Sequence, residues 1–127
     1  MNQIINKGII AAATAENDNV TVEKFFPANV EDVISVSASD VNNKKCSFSN
    51  YGNKIDLAAP GYQVYTSTTG GNYSTVNGTS FSFPFVAAAC ATVLMQNPSL
   101  TSKEIENLPA LVFKTLILML NGVQAVY

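Results

Sequence analysis

The chain has 127 residues, the length of one domain or of part of one. Its hydrophobic content is 47% and its charged content 13%, which predicts a packed interior and excludes a disordered chain. A net charge of −2 gives no electrostatic basis for binding nucleic acid, which we do not expect as a partner.

In chain order, the pattern predicts four short strands, at 8–13, 33–37, 55–58 and 62–66. Turn-rich loops are predicted over 14–24 and 40–53. A loop and turn are predicted over 68–78, where three glycines lie. Strands that precede and alternate with helices favour an α/β architecture with a parallel sheet.

The next predicted element is a helix over Thr79–Gln96. It is apolar on nearly every side, which is typical of a buried central helix, and Pro84 lies within its first turns, where a local kink is expected. Thr101 and Glu104 fit a capping box, so a further helix is predicted to begin there and to be broken early by Pro109. The later apolar stretch 108–120 is too short to span a bilayer, and no membrane span is expected in this segment.

The two cysteines are too few for a disulfide framework, and the chain has no histidine, which disfavours a zinc site. Cys90 lies in the apolar run and is expected in the core, whereas Cys46 is expected to be a free thiol in a polar turn. The N-terminus lacks the basic segment and apolar core of a signal peptide.

The stretch 77–88 is the most informative part of the sequence. A tight turn ends at Ser80 and leads into the apolar helix, which aims the serine hydroxyl and neighbouring backbone amides out of the first helical turn. That is one way to present a nucleophilic serine, although a serine at a helix start is more often an N-cap. A histidine base for Ser80 is not present in this chain.

Four sequence blocks resemble the subtilisin-like serine proteases (subtilases). They are G-T-S at 78–80 with Pro84 and V-A at 86–87, F-S-N-Y-G at 48–52, D-L-A-A-P-G at 56–61, and N-P-S-L-T at 97–101. Any one block is weak, but four in this order are specific. The resemblance covers about residues 4–105, and 106–127 diverges from the family pattern.

The resemblance implies a three-layer subtilisin-like α/β fold with a mostly parallel sheet, of which only the C-terminal portion is present. Residues 1–127 would then be the C-terminal portion of a subtilase catalytic domain. The family's catalytic residues run Asp, His, Ser along the chain. The acid and base would therefore lie outside this chain, and the 127 residues alone are expected to be inactive.

The resemblance also implies two catalytic residues, Ser80 as nucleophile and Asn17 as oxyanion donor. Asn17 ends a segment that is similar to the family's A-A-G-N, with Glu16 in place of the glycine, and Asn19 is a second candidate. Residues 12–15 would line one wall of the pocket for the substrate side chain. Phe81 and Phe85 depart from the pattern, since they replace the family's usual Met and His.

Ser49 and Asn50 lie in the F-S-N-Y-G block, and both are expected to stabilise a turn.

The function implied is a serine endopeptidase that hydrolyses peptide bonds. The alternative is a catalytically inactive subtilase homologue that acts as a binding or regulatory module, and a weaker one is a structural α/β domain with a chance motif. An α/β-hydrolase is disfavoured because Ser82 stands where its nucleophile turn needs a second glycine.

No cofactor is required for the implied chemistry, and the family allows a structural calcium. Glu31 and Asp32 could contribute to such a site, although a solvated acidic pair is the simpler interpretation. The implied partners are a polypeptide substrate and an inhibitory propeptide. The implied location is outside the cell or in the secretory pathway, as for most of the family.

Overall fold

The fold is a parallel sheet packed against one long helix, with a separate two-stranded hairpin. A computed structural model of the chain describes residues 2–120. Its strands are β1 Ala11–Thr14, β2 Val33–Ser39, β3 Leu57–Pro60, β4 Val64–Thr68 and β5 Asn72–Val76. Its helices are α1 Asn2–Ile5, α2 Thr79–Gln96, α3 Ser102–Glu106 and α4 Ala110–Leu120, with short 3-10 turns at Val22–Lys24 and Thr69–Gly71.

Strands β1, β2 and β3 form a parallel sheet in that order, with Ala13 opposite Ser35 and Val36 opposite Leu57. Every residue of the central strand β2 except its last, Ser39, is buried. This is what a strand covered on both faces requires, since neither row of its side chains meets water. The predicted three-layer α/β fold with a mostly parallel sheet is confirmed.

The two faces of β2 bury different clusters because successive side chains point to opposite sides of a strand. Ile34 and Val36 lie in a cluster with α2, α3 and α4. Val33 lies in a second cluster with Ala13 and with residues of the 22–30 segment. The sheet is thus a middle layer between a helical layer and a layer of shorter segments.

Helix α2 has the predicted bounds but not the predicted burial. It is buried along one stripe, which includes Val86, Ala89 and Cys90, whereas its other sides are partly or fully exposed. The helix runs through Pro84 without interruption. Its length and mean hydropathy of 1.3 would suffice to cross a membrane, but α2 packs on all three strands of the sheet, as the core helix of a globular domain does.

The prediction of a loop over 68–78 is wrong. Residues 72–76 form β5, which pairs antiparallel with β4, with Val64 opposite Val76. Gly70 and Gly71, at φ 78° and 77°, reverse the chain between the two strands. Since β5 is exposed along most of its length, it lacks the alternation of apolar and polar residues by which a half-buried strand is recognised.

Other boundaries differ from the prediction by two or three residues, and two helices, α1 and α4, are absent from the predicted elements. Pro109 does end α3, but it also directly precedes α4, consistent with the tolerance of proline at helix starts. The predicted capping box is confirmed. Glu104 N donates to Thr101 Oγ1 at 3.3 Å, and Thr101 N donates to Glu104 Oε2 at 2.8 Å.

The two cysteines are free, as expected, and both are buried. Burial raises the pKa of the Cys90 thiol to about 11, as expected for a small core residue. Burial also raises the pKa of Cys46, so the polar turn around it does not expose the thiol as its sequence context suggests.

Gly61 joins the end of the sheet to the start of α2. Its N–H donates to Ser39 O at 3.0 Å, and its carbonyl accepts from Gly78 N at 2.8 Å. A Cβ at this position would overlap Ser82 Oγ and would lie 2.6 Å from Ala38 Cβ. No larger residue fits between these neighbours without moving the backbone on which α2 begins.

We therefore expect Gly61→Ala to lower the free energy of unfolding by about 1–3 kcal/mol, because a methyl group would overpack this junction. Urea titration measures the effect. As a control, Ala58→Ser at an exposed position of β3 should stay within about 0.5 kcal/mol of the parent. Equal unfolding midpoints for the Gly61→Ala variant and the parent would contradict the packing argument.

Candidate active site

The N-terminus of α2 meets the loop that follows β1, the 15–20 loop. The side chain of Asn17 reaches this helix end, where its Oδ1 accepts a hydrogen bond from Thr79 N at 2.9 Å across 62 residues of sequence. Ser80 is the next residue along the helix. The structure thus brings together the two residues singled out from the sequence, Ser80 and Asn17.

Ser80 is the second residue of α2 and is exposed. The N-cap is Gly78, with φ 151°, a backbone conformation that favours glycine. The interpretation of Ser80 as a simple N-cap is therefore wrong. Because Gly78 has no side chain to cap the helix, the amide of Asn17 satisfies one of the free N–H groups of the first turn instead.

This contact also fixes which way the Asn17 amide faces. A backbone N–H can bond only to the oxygen of the amide, so Oδ1 faces Thr79 and Nδ2 faces away from it. Among residues 2–120 we find no acceptor for the Nδ2 donors or for Ser80 N–H. The exposed Ser80 hydroxyl thus lies at a helix end together with two N–H-bearing groups, Asn17 Nδ2 and Ser80 N, in the positive field of the helix dipole.

Such an arrangement suits the stabilisation of an oxyanion that forms when a hydroxyl attacks a carbonyl. The chain contains no histidine, so a histidine base for Ser80 is not part of it.

Glu16, the residue before Asn17, has φ 74°, in the left-handed region. Its carboxylate accepts a hydrogen bond from Thr14 Oγ1 at 2.9 Å. A left-handed conformation costs a residue with a Cβ about 1–2 kcal/mol relative to glycine. Glu16 thus adopts a backbone conformation that favours glycine, the residue that the A-A-G-N pattern has at this position. This supports the alignment in which Glu16 matches the glycine of the pattern and Asn17 matches its asparagine.

The second candidate, Asn19, makes a different contact. Its Oδ1 accepts from Lys45 Nζ at 3.1 Å, and Lys45 also donates to the carbonyls of Cys46 and Ser49. Of the two asparagines, only Asn17 bonds to the helix end that carries Ser80 in the part of the chain that the structure describes.

Asn50 makes contacts near this site that the sequence analysis does not predict. It was expected to stabilise a local turn, but its Oδ1 accepts from the distant Asp18 N and Val20 N, at 3.0 and 3.1 Å. Nothing in the F-S-N-Y-G block signals a partner 30 residues earlier in the chain, since such a contact depends on the pairing of β1 with β2.

In the part of the chain that the structure describes, no group of three or more Cys, Asp or Glu side chains could hold a metal ion. Glu31 is exposed and Asp32 half-buried, and neither belongs to such a group. One oxygen of the Asp56 carboxylate, Oδ2, accepts from Lys54 Nζ at 3.0 Å and from Ser35 N at 2.7 Å, so it is already engaged within the protein.

The sequence model of the subtilase family matches residues 1–119. The chain is 36% identical over 107 residues to subtilisin BL of Lederbergia lenta, a match over 84% of this chain and 39% of that protein. Its fold is similar to a cold-adapted subtilisin-like serine proteinase, with a TM-score of 0.79, 32% identity, and coverage of 86% of this chain and 40% of that one.

A protease from Pseudoalteromonas arctica is also similar in fold, with a TM-score of 0.77 and 30% identity over 83% of this chain and 36% of the other. The chain thus spans about two fifths of the length of these relatives. The match to the family model extends beyond residue 105, and Phe113 and Ile117 of α4 lie buried in the main core.

The backbone at Glu16 yields a prediction that does not depend on activity. We expect Glu16→Gly to be more stable than Glu16→Ala by about 1 kcal/mol, because only glycine adopts φ 74° without cost. Both variants lose the carboxylate bond to Thr14, so their difference isolates the backbone effect. Thermal unfolding of the two proteins measures it, and a more stable alanine variant would contradict the left-handed conformation.

Proposed function

The chain belongs to the subtilase family, and on that basis we propose that it carries the nucleophile and the oxyanion donors of a serine endopeptidase. The observation that supports this proposal most directly is the hydrogen bond from Thr79 N to Asn17 Oδ1, which sets an exposed amide beside Ser80. The relatives to which the chain is similar bear the names of subtilisins and alkaline proteases.

In the proposed reaction, Ser80 Oγ attacks the carbonyl carbon of the scissile peptide bond. A histidine outside this chain takes the Ser80 proton, and an aspartate outside this chain orients that histidine. The proton passes to the leaving amine as the C–N bond breaks, which leaves an acyl group on Ser80. Water, deprotonated by the same histidine, then releases the acyl group and restores the hydroxyl.

Asn17 Nδ2 and Ser80 N–H stabilise the negative charge that develops on the carbonyl oxygen. Both donors are held in place before the reaction: Ser80 N–H by the helix, and Asn17 by its bond to Thr79. Preorganised donors of this kind need no rearrangement as charge develops, which is why they favour the transition state over the ground state.

Residues 1–127 are proposed to be the C-terminal portion of the catalytic domain. The 127 residues alone are proposed to be inactive, because a serine without a base has the low reactivity of an ordinary alcohol. The substrate would be a polypeptide, and the catalytic steps need no cofactor. An inhibitory propeptide, a structural calcium and a location outside the cell remain proposals from the family.

Two features favour the alternative of an inactive homologue that binds or regulates. Glu16 occupies a strained position next to Asn17, and Phe85 replaces a polar residue of the family pattern. The coding sequence upstream of Met1 separates the two functions. A D-[ST]-G block and an H-G-T-H block there would support the enzyme, and their absence would support the inactive homologue.

Substitution of the nucleophile is the primary test. In the full-length protein, Ser80→Ala should lower peptide cleavage by about 10⁴-fold or more, because the acyl intermediate cannot form. Ser82→Ala is the matched control. It also removes a serine hydroxyl from the start of α2, but this one is buried and has no hydrogen-bond partner among the described residues, so activity should stay within about threefold. Undiminished cleavage by Ser80→Ala would refute the role of Ser80.

The oxyanion role of Asn17 has a different signature. Asn17→Ala should lower kcat by about 10²–10³-fold, the cost known for loss of one such donor in subtilisin, with little change in KM. Asn19→Ala serves as the comparison because it alters the same loop without touching the helix end. A larger loss of kcat in the Asn19 variant than in the Asn17 variant would contradict the assignment and identify Asn19 as the oxyanion donor.

A further inference from the structure

Asn17 lies on an exposed, irregular loop whose conformation depends on contacts with other parts of the chain. Residues 16–20 are all exposed, and they form no regular secondary structure. Glu16 and Asn19 both have positive φ values, 74° and 54°, which are costly for residues that carry a Cβ. The position of the Asn17 amide therefore depends on contacts made from outside the loop.

Asn50 supplies those contacts on both sides of Asn17. Its backbone N–H donates to Glu16 O at 3.1 Å, just before Asn17. Its side-chain Oδ1 accepts from Asp18 N at 3.0 Å, just after Asn17, and from Val20 N at 3.1 Å. One residue thus bonds to the two residues that flank Asn17.

The Asn50 side chain is itself fixed in place, because it is fully buried. Its Nδ2 group is also buried and has no hydrogen-bond partner among the described residues. A buried donor without a partner costs about 1–3 kcal/mol. The stabilising contribution of the Asn50 side chain therefore comes from its oxygen, and within residues 2–120 that oxygen bonds only to the 15–20 loop.

We propose that Asn50 is a positioning residue that acts through Asn17. By bonding to both flanks of Asn17, it holds the loop so that Asn17 Oδ1 meets Thr79 N and Nδ2 is held beside Ser80. Asn50 itself is buried and contacts no substrate. This inference rests on the proposed function for its kinetic consequence, but its structural part stands independently.

The loop keeps other contacts when the Asn50 side chain is removed. Asn19 N still donates to Phe48 O at 2.9 Å, and Tyr51 N still donates to Val20 O at 3.1 Å. The backbone bond from Asn50 N to Glu16 O also remains. An Asn50→Ala variant is thus expected to fold, with the segment around Asn17 loosened.

The kinetic test is a double-mutant cycle in the full-length protein. Asn50→Ala should lower kcat about tenfold with little change in KM, because it misplaces a donor that acts on the transition state and leaves substrate contacts intact. In an Asn17→Ala background, Asn50→Ala should cause no further loss, because the group it positions is gone. An equal loss in both backgrounds would overturn the proposal.

The structural test does not require activity. Native-state hydrogen exchange at the Thr79 amide reports its bond to Asn17, and exchange at Ala89, inside α2, reports global opening. Asn50→Ala should accelerate exchange at Thr79 severalfold more than at Ala89. Ser35→Ala is the matched control, since Ser35 is equally buried but its hydroxyl has no hydrogen-bond partner among the described residues and does not contact Asn50.

The two tests separate the possible failures. If the full-length protein cleaves no peptide, but Asn50→Ala accelerates Thr79 exchange and the control variant does not, the proposed function fails and the positioning role stands. If Thr79 exchange is unchanged, or if Ser35→Ala accelerates it equally, the positioning role fails whatever the activity.

Discussion

The bond between Thr79 N and Asn17 Oδ1 is the contact on which the rest of the site depends. It caps a helix whose own N-cap residue, Gly78, has no side chain to offer. It orients the amide of Asn17 so that its donors are directed away from the helix. It also couples an irregular loop to the longest helix of the fold, so that the position of each depends on the other.

Close packing on the opposite side of the helix start complements this bond. Gly61 and Gly78 hydrogen-bond to each other, and Ser82 lies against the Cα of Gly61. The first turn of α2 is thus held between the end of the sheet and the 15–20 loop. Small residues are needed at the sheet side because the backbones meet there, and a polar residue is needed at the loop side because the helix amides lack partners.

The parts of the fold that were predictable from sequence are those with local signals. Helix α2 is bounded by a glycine turn and by Asn97-Pro98, and the capping box of α3 is encoded by two residues three apart. The exposed strand β5 carries no apolar alternation, so it has no local signal. The one-sided burial of α2 was also unpredictable, because composition does not say how much of a helix its neighbours cover.

The same distinction applies to the candidate site. Ser80 and Asn17 were found through family motifs, and the structure places both at one helix end. Asn50 was interpreted as a turn residue because its partners lie about 30 residues away, on a loop whose position depends on the parallel pairing of two strands. A contact of that kind follows from tertiary structure, which the composition of a five-residue block does not encode.

Pro84 has a consequence for the main chain of Ser80. Proline has no N–H, so the carbonyl of Ser80, four residues earlier, cannot accept the regular helical bond. The N–H of Ser80 likewise has no intrahelical partner, because it lies in the first turn. The N–H and the C=O of Ser80 itself therefore both lie outside the regular hydrogen-bond ladder of α2. The next N–H, that of Phe81, bonds to Gly78 O at 3.1 Å and keeps the turn around Ser80 closed. Neither polar group of the Ser80 main chain is thus committed to the regular helical ladder, although the turn that carries the serine is held in place.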